Sequence, residues 1–202
     1  MFSALLEFGW NPILEKELDL NLPTYEMYLG IGWVYRYLEK LAQCYYLKRG
    51  LKIGIIRTAS IYGPYDRFDD YKSHVIPGII KRASKKEDPF VVWGDKNTVR
   101  DFVYVDDLSI AVLNVLEKYC VSDPINFSSS TKTTIKNLVE LILKIYKYKT
   151  KPIFDKKKPS AVPYRVLNNN KYNKLFSHKN KTKLKDGLEK TIKWFESREF
   201  RE

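Results

Sequence analysis

The first half of the chain shows a helical apolar pattern followed by a short β-branched run. From Gly30 to Arg49, apolar residues recur at helical spacing, and Gly50 follows as a C-terminal cap would. The residues that set this apolar face are Val34, Tyr37, Leu38, Leu41, Ala42 and Tyr45. Residues 52–57 lack polar alternation, which predicts a parallel strand buried on both faces. A helix that leads directly into such a strand is half of a βαβ unit.

The segment after this strand turns polar and is interrupted by glycine and proline. It runs from Thr58 to Pro64 and ends in Tyr62-Gly63-Pro64. In open α/β sheets, ligands bind in the crevice beyond the carboxyl ends of the strands. The sequence therefore predicts that this loop faces a ligand site.

The remaining pattern continues the alternation of helices and strands. Predicted helices begin near Ser73, at Asp106–Asp107, at Ile135 behind a Thr133 or Thr134 cap, near Asn169 and near Leu184, and predicted strands cover 90–93, 99–105 and 125–128. This order predicts an α/β fold. Residues 1–29 are irregular, so we expect the chain to begin in the middle of a fold.

Composition narrows the class of protein. The chain has 202 residues, of which 44% are apolar, which is ample for a packed core. Cys44 and Cys120 lie in apolar helical patterns without metal-ligand spacing, and we interpret them as buried thiols of a cytoplasmic protein rather than as a disulfide. We expect no metal site, no membrane span and no signal peptide.

The positive charge is concentrated in the last third of the chain. Residues 132–202 hold 20 Lys and Arg residues against 7 Asp and Glu residues, with one dense run at Lys156-Lys157-Lys158. No zinc-finger, RNP or helix-turn-helix pattern accompanies these residues. Two interpretations stay open, a solvated lysine-rich surface and a tail that binds nucleic acid or another polyanion.

Several segments resemble the extended short-chain dehydrogenase/reductase family, in particular its NAD-dependent nucleotide-sugar epimerases and dehydratases of the GDP-L-fucose synthase-like type. They are RTASIYGP at residues 57–64, where the family has Arg-Pro-x-Asn-x-Tyr-Gly-Pro, then SHVIPGIIKRA, VVWGDKNTVRDFVYVDDL, INFSSSTKTTIKNLVELI and LEKTIKWF. Their order follows that of the family over most of residues 30–195.

The resemblance implies the C-terminal part of a Rossmann-type parallel sheet plus a small α/β substrate-binding domain. Residues 1–64 would be the remnant of the Rossmann-type domain and residues 65–202 mainly the substrate domain, with residues 99–131 returning to the sheet. Relatives bind NAD or NADP and a nucleoside-diphosphate sugar. Their chemistry is a transient hydride transfer in which the Tyr of a Tyr-x-x-x-Lys pair acts as acid and base, because the ammonium lowers a phenol pKa that is otherwise near 10.

Two elements of that machinery are missing from the sequence. None of the nine glycines forms a GxGxxG motif, and none of the fifteen tyrosines has a lysine four residues later. The family positions of the catalytic Tyr and Lys fall at Ile31 and Tyr35, and the catalytic Ser/Thr position falls at Ala4. We therefore assign no catalytic residue and doubt that this chain alone binds NAD or NADP.

The substrate side of the site is retained in the sequence. Arg100 matches an Arg that relatives direct at the nucleotide diphosphate, although it could instead pair with Asp101 or Asp106 as part of the scaffold. Lys158 and Arg165 match further phosphate-facing basic residues, and Lys158 could equally be a solvated surface residue. Ser60 replaces an Asn at the sugar, and Thr58 replaces the Pro that approaches the nicotinamide. We expect packing or ligand contact for Trp33, and surface positions for His74 and His178, which have no partner pattern in the sequence.

These observations predict a nucleotide-sugar epimerase/dehydratase-like protein that is truncated and inactive alone. Its partner would be a separately encoded N-terminal Rossmann half or a further copy of itself. The alternative is a basic module that binds nucleic acid or another polyanion through the lysine-rich last third. A third possibility is that Tyr35 has a different catalytic use in a two-chain enzyme. An incomplete parallel sheet would also expose apolar helix faces, which predicts poor solubility or obligate association.

Overall fold

The computed structural model describes residues 28–70, 72–158, 162–177 and 182–199. The helices and strands, numbered in chain order, are α1 (Leu29–Arg49), β1 (Ile56–Thr58), β2 (Ser60–Tyr62), α2 (Val75–Ser84), β3 (Val91–Trp93), β4 (Val99–Arg100), β5 (Phe102–Tyr104), α3 (Val105–Lys118), β6 (Ile125–Phe127), β7 (Thr133–Thr134), α4 (Ile135–Ile145), β8 (Ile153–Asp155), β9 (Tyr164–Arg165), α5 (Asn170–Leu175) and α6 (Leu184–Glu199). Within the described ranges, no helix is both long and apolar enough to cross a bilayer.

Short parallel strand pairs form the sheet part of this α/β fold. β1 pairs with β6, β2 with β5 and β3 with β8, all in parallel. β4 is the middle strand of a three-stranded sheet, antiparallel to β7 and parallel to β9. The strand predicted over 52–57 is shorter than expected, since only an isolated bridge at Ile53 precedes β1. The predicted polar loop also contains β2, which the sequence pattern did not indicate.

Two apolar cores lie on either side of the β2–β5 region. The larger core packs α2, α4 and α6 around β2, β3 and β5, and its fully buried members include Ile79, Ile80 and Leu138. The second core packs α3 and α5 against β1 and β6, with Ala111 and Phe127 fully buried. β5 contributes to both, because Phe102 and Tyr104 face the larger core and Val103 faces the second.

The long helix α1 ends at its predicted C-terminal cap and leaves large apolar side chains exposed. Gly50 caps it in the left-handed conformation (φ 65°), as predicted. The predicted apolar face is not part of a core, since the buried residues of α1 are Gly32 and Arg36. Nine large apolar side chains of α1 are instead exposed, namely Leu29, Ile31, Trp33, Val34, Tyr35, Tyr37, Leu38, Tyr45 and Leu47. The helix meets β1 through a polar contact, in which Glu39 binds Arg57. The association that these exposed faces favour stays a prediction.

The residues at the helix N-termini and the two cysteines test further predictions from the sequence. Thr134 caps α4 as predicted, since its Oγ1 accepts a hydrogen bond from the Asn137 amide at 3.1 Å. Asp106 and Asp107 lie in the first turn of α3, where the helix dipole favours negative charge. The prediction of buried thiols needs correction, because Cys44 is exposed and Cys120 is only partly buried. Both are free thiols.

Gly187 allows α6 to approach the buried ring of Tyr62. A Cβ at this position would lie 2.1 Å from the Tyr62 hydroxyl and 3.0 Å from Cδ2 of Tyr104. Tyr62 is only 2% exposed and cannot move into solvent. We expect Gly187→Ala to lower the free energy of unfolding by about 2–3 kcal/mol, the usual cost of overpacking a core. Urea denaturation measures this loss.

The control for this substitution is Gly30→Ala in α1. No atom lies within 4 Å of a Cβ at Gly30, so alanine there should stabilise the helix by up to about 1 kcal/mol. Tyr62→Phe removes the clashing hydroxyl, and the double variant with Gly187→Ala should recover part of the loss. Equal effects of the two alanine substitutions would contradict this description of the α6 contact.

Candidate functional site

A cavity of about 900 Å³ opens beside the carboxyl end of β1. One face of α1, the β1–β2 segment, the start of α2 and strands β3 and β4 form its walls. Four predicted site residues line it, namely Thr58, Ser60, Arg100 and Arg165. The fifth, Lys158, does not line the cavity, but its Nζ lies 5.2 Å from the ring centroid of Trp93, which does. The fold thus brings together in one cavity four predicted site residues that are far apart along the chain.

The central feature of the cavity is a pair of guanidinium groups. Parallel pairing of β4 with β9 places Arg100 and Arg165 in register. Arg100 is 7% exposed and donates to the Val99 carbonyl at 2.7 Å, and Arg165 donates to the Ser60 hydroxyl at 2.7 Å. Burial and then the nearby charge of Arg165 lower the pKa of Arg100 to about 10, and burial lowers the pKa of Arg165. A guanidinium stays protonated in proteins at neutral pH, so the two cations form a site suited to an anion.

The neighbouring acidic groups have other partners. The Asp101 carboxylate accepts hydrogen bonds from the Ser129 amide and hydroxyl and from the Ser130 amide. Burial raises the pKa of Asp101, and these hydrogen bonds counteract that rise. Among the described residues, neither Asp101 nor Asp106 forms an ion pair with Arg100. The ion pair that a scaffold role of Arg100 would require is therefore not formed. Asp101 instead holds the loop after β6 through Ser129 and Ser130.

The two carboxylates on the cavity wall are also committed elsewhere. Glu39 accepts from Arg57 at 2.9 and 2.6 Å, and Asp95 lies 2.9 Å from the Lys156 ammonium. The described part of the cavity thus offers Arg100 and Arg165 no carboxylate that lacks another basic partner. The Asp101 carboxylate, which is not part of the cavity lining, raises the pKa of Arg165 and opposes the larger effect of burial.

The structure also places the family positions of the catalytic pair. Tyr35 lines the cavity, whereas Ile31 is 47% exposed and lies outside its lining. No lysine occurs among the described residues that line the cavity, so no ammonium is placed to activate a phenol there. Trp33 is also outside the lining, and its ring lies against the Arg36 guanidinium at 4.8 Å. Ala4 and His178 lie outside the described residues.

His74 is a site residue that sequence reasoning missed. The prediction of a surface position is confirmed, and the structure adds a partner that no sequence pattern indicated. Its Nδ1 lies 3.2 Å from Asp66 Oδ1, and the residue lines the cavity. The signal in the sequence was an Asp and a His that flank one short loop after β2.

The basic last third shows ion pairs and scattered surface lysines. Lys171 binds Asp123 at 2.7 Å, and Lys185 lies 3.5 Å from Glu189. No cluster of His, Cys, Asp and Glu side chains in the described part of the chain could hold a metal ion. Nothing in these contacts selects between a solvated surface and a polyanion-binding tail, and the second interpretation stays a prediction.

Comparison with known proteins gives a consistent assignment. A sequence profile of the NAD dependent epimerase/dehydratase family matches residues 32–126. The chain is 32% identical over 160 residues to the probable GDP-L-fucose synthase 1 of Oryza sativa, covering 77% of this chain and 48% of that protein. It is 30% identical over 169 residues to the GDP-L-fucose synthase of Escherichia coli, covering 77% of this chain and 52% of that protein. The chain thus spans about half the length of the curated relatives it matches.

The solved structures extend the similarity to nearly the whole chain. The UDP-glucose 4-epimerase of Thermotoga maritima, solved with UDP-glucose, superimposes with a TM-score of 0.82 at 27% identity, covering 99% of this chain and 63% of that one. A GDP-L-fucose synthetase from Naegleria fowleri bound to NADP shares the fold with a TM-score of 0.85 at 22% identity, covering 98% of this chain and 64% of that one.

Proposed function

This chain belongs to the NAD-dependent epimerase/dehydratase family, and on that premise we propose that it binds a nucleoside-diphosphate sugar without turning it over alone. The observation that carries the proposal is the in-register pair of Arg100 and Arg165 on the cavity wall. A guanidinium binds phosphate oxygens in bidentate geometry, and a diphosphate supplies enough charge for two such groups. Relatives named for GDP- and UDP-sugars support this ligand class.

Other cavity residues suit the two ends of such a ligand. The Trp93 side chain is 64% exposed and offers a flat surface on which a base can stack. Lys158 lies against that ring at the rim, where it can approach a phosphate. Ser60 is held by Arg165 and faces the same cavity, which fits its proposed contact with the sugar. His74, which contacts Asp66, adds a hydrogen-bonding group to the cavity lining.

The residues of this chain fit only part of an NAD or NADP molecule. The Thr58 hydroxyl is buried without a hydrogen-bond partner and its residue lines the cavity, which fits the proposed contact with a nicotinamide. The sequence contains no GxGxxG turn to hold the pyrophosphate of NAD or NADP. The residues present therefore do not fit the whole cofactor, and this chain alone is not assigned a hydride-transfer step. We propose that a separately encoded Rossmann half, or a further copy of the chain, supplies what catalysis needs.

Calorimetric titration with GDP- and UDP-sugars tests the proposal. We expect saturable binding of the nucleotide sugars, no binding of the free monosaccharides, and no reaction when NAD or NADP is added. The free sugar is the matched control because it lacks the diphosphate that the arginine pair would bind. Turnover by the isolated chain would refute the inactivity part of the proposal, and an absence of nucleotide-sugar binding would refute the rest.

A further inference from the structure

Tyr28 is a cavity residue that neither the sequence motifs nor the family positions indicated. It stands immediately before α1, three residues ahead of the family position at Ile31, and lines the same cavity as Arg100 and Arg165. Its side chain makes no capping hydrogen bond to the first turn of α1, although it occupies the N-cap position.

The Tyr28 phenol shares its cavity with both guanidinium groups. Burial lowers the pKa of Arg100 and the pKa of Arg165, and an electrostatic interaction with Tyr28 opposes this lowering at each of them. A phenol can donate a hydrogen bond to a phosphate oxygen, which the two guanidinium groups hold in place by charge. The start of α1 also favours a bound anion, because its first turn holds no acidic residue and the positive end of the helix dipole lies there.

We propose that the Tyr28 phenol completes the anion site of Arg100 and Arg165 by donating a hydrogen bond to the bound diphosphate. The ligand then joins the beginning of α1 to strands β4 and β9. This inference rests on the proposed function, since it names a further group of the same site. Tyr28 is a binding residue in this scheme and takes no part in proton transfer.

Titration of the full chain with UDP, UMP and uridine separates this role from a structural one. Tyr28→Phe keeps the ring and removes only the hydroxyl, so we expect UDP affinity to fall about tenfold, as for the loss of a hydrogen bond to a charged group. Affinity for uridine should not change, and the preference for UDP over UMP should shrink. The control is Tyr37→Phe, on the same helix but 64% exposed and outside the cavity lining.

The outcomes distinguish this inference from the proposed function. If Tyr28→Phe binds UDP as tightly as the unchanged chain while Arg100→Gln does not, the phenol is not part of the site and the proposed function stands. A chain that binds no UDP at all refutes both. A Tyr28→Phe variant that loses affinity for uridine and UDP alike, with a lowered melting temperature, also overturns the inference, since that pattern indicates a structural role.

Discussion

Replacing Arg100 with glutamine should reduce affinity for UDP- and GDP-sugars about 100-fold, which corresponds to about 2.7 kcal/mol. The same change should leave the free energy of unfolding unchanged or raise it. Arg100 is buried, its pKa is lowered by burial and by Arg165, and it forms no ion pair within the described residues. Removing one of two neighbouring cations relieves their repulsion when no ligand is bound. Calorimetry and urea denaturation on the same samples measure both effects.

Arg82→Gln is the matched control and should show the opposite pattern. Arg82 is partly buried, donates to the carbonyls of Gly78 and Val91, and lies over the ring of Phe90, but it does not line the cavity. Its replacement should lower stability and leave nucleotide affinity unchanged. If Arg100→Gln instead lowers stability and binds nucleotide sugars normally, Arg100 belongs to the scaffold and the anion site is wrong.

The second large effect is expected at the contact between α1 and β1. Glu39 accepts two hydrogen bonds from Arg57, at 2.9 and 2.6 Å, and the side chains are only 12% and 6% exposed. Glu39→Gln removes the negative charge and leaves a buried guanidinium, so we expect a loss of about 3 kcal/mol in the free energy of unfolding. The melting temperature should fall accordingly, and denaturant titration gives the size of the change.

A surface pair provides the comparison for Glu39. Glu140 lies 3.8 Å from the Lys136 ammonium, both side chains are more than half exposed, and Glu140→Gln should cost less than about 0.5 kcal/mol. Replacing both buried partners, as Glu39→Leu with Arg57→Met, should recover much of the stability that the single variant loses. A Glu39→Gln variant as stable as Glu140→Gln would show that α1 is held by other contacts.

Local sequence signals predicted those elements that local interactions determine. The end of α1 at Gly50 and the cap of α4 by Thr134 depend on residues within one turn, and both were predicted correctly. Arg100 and Arg165 were found through the resemblance to known proteins, because no local pattern indicates that two residues from distant segments share a register. Strands β4, β7 and β9 have two residues each, so their pairing is decided by tertiary contacts rather than by propensity.

The features that the sequence did not predict also depend on tertiary contacts. Periodicity predicted an apolar face on α1, but it did not indicate that the helix meets β1 through the Glu39–Arg57 pair. His74 received no role because its partner, Asp66, lies in the irregular segment after β2. Tyr28 immediately precedes its helix and belongs to no motif, and only the folded structure shows that it lines the same cavity as the arginine pair.

The central claim is that Arg100 and Arg165 hold the diphosphate of a nucleotide sugar. Nitrogen NMR of arginine-labelled chain during titration with UDP-glucose observes these two groups directly, with Arg100→Gln to assign the resonances. We predict that the side-chain Nε–H signals of both residues shift together and saturate, while those of Arg67 and Arg82 do not move. Unchanged signals from Arg100 and Arg165 at saturating nucleotide sugar would contradict the account.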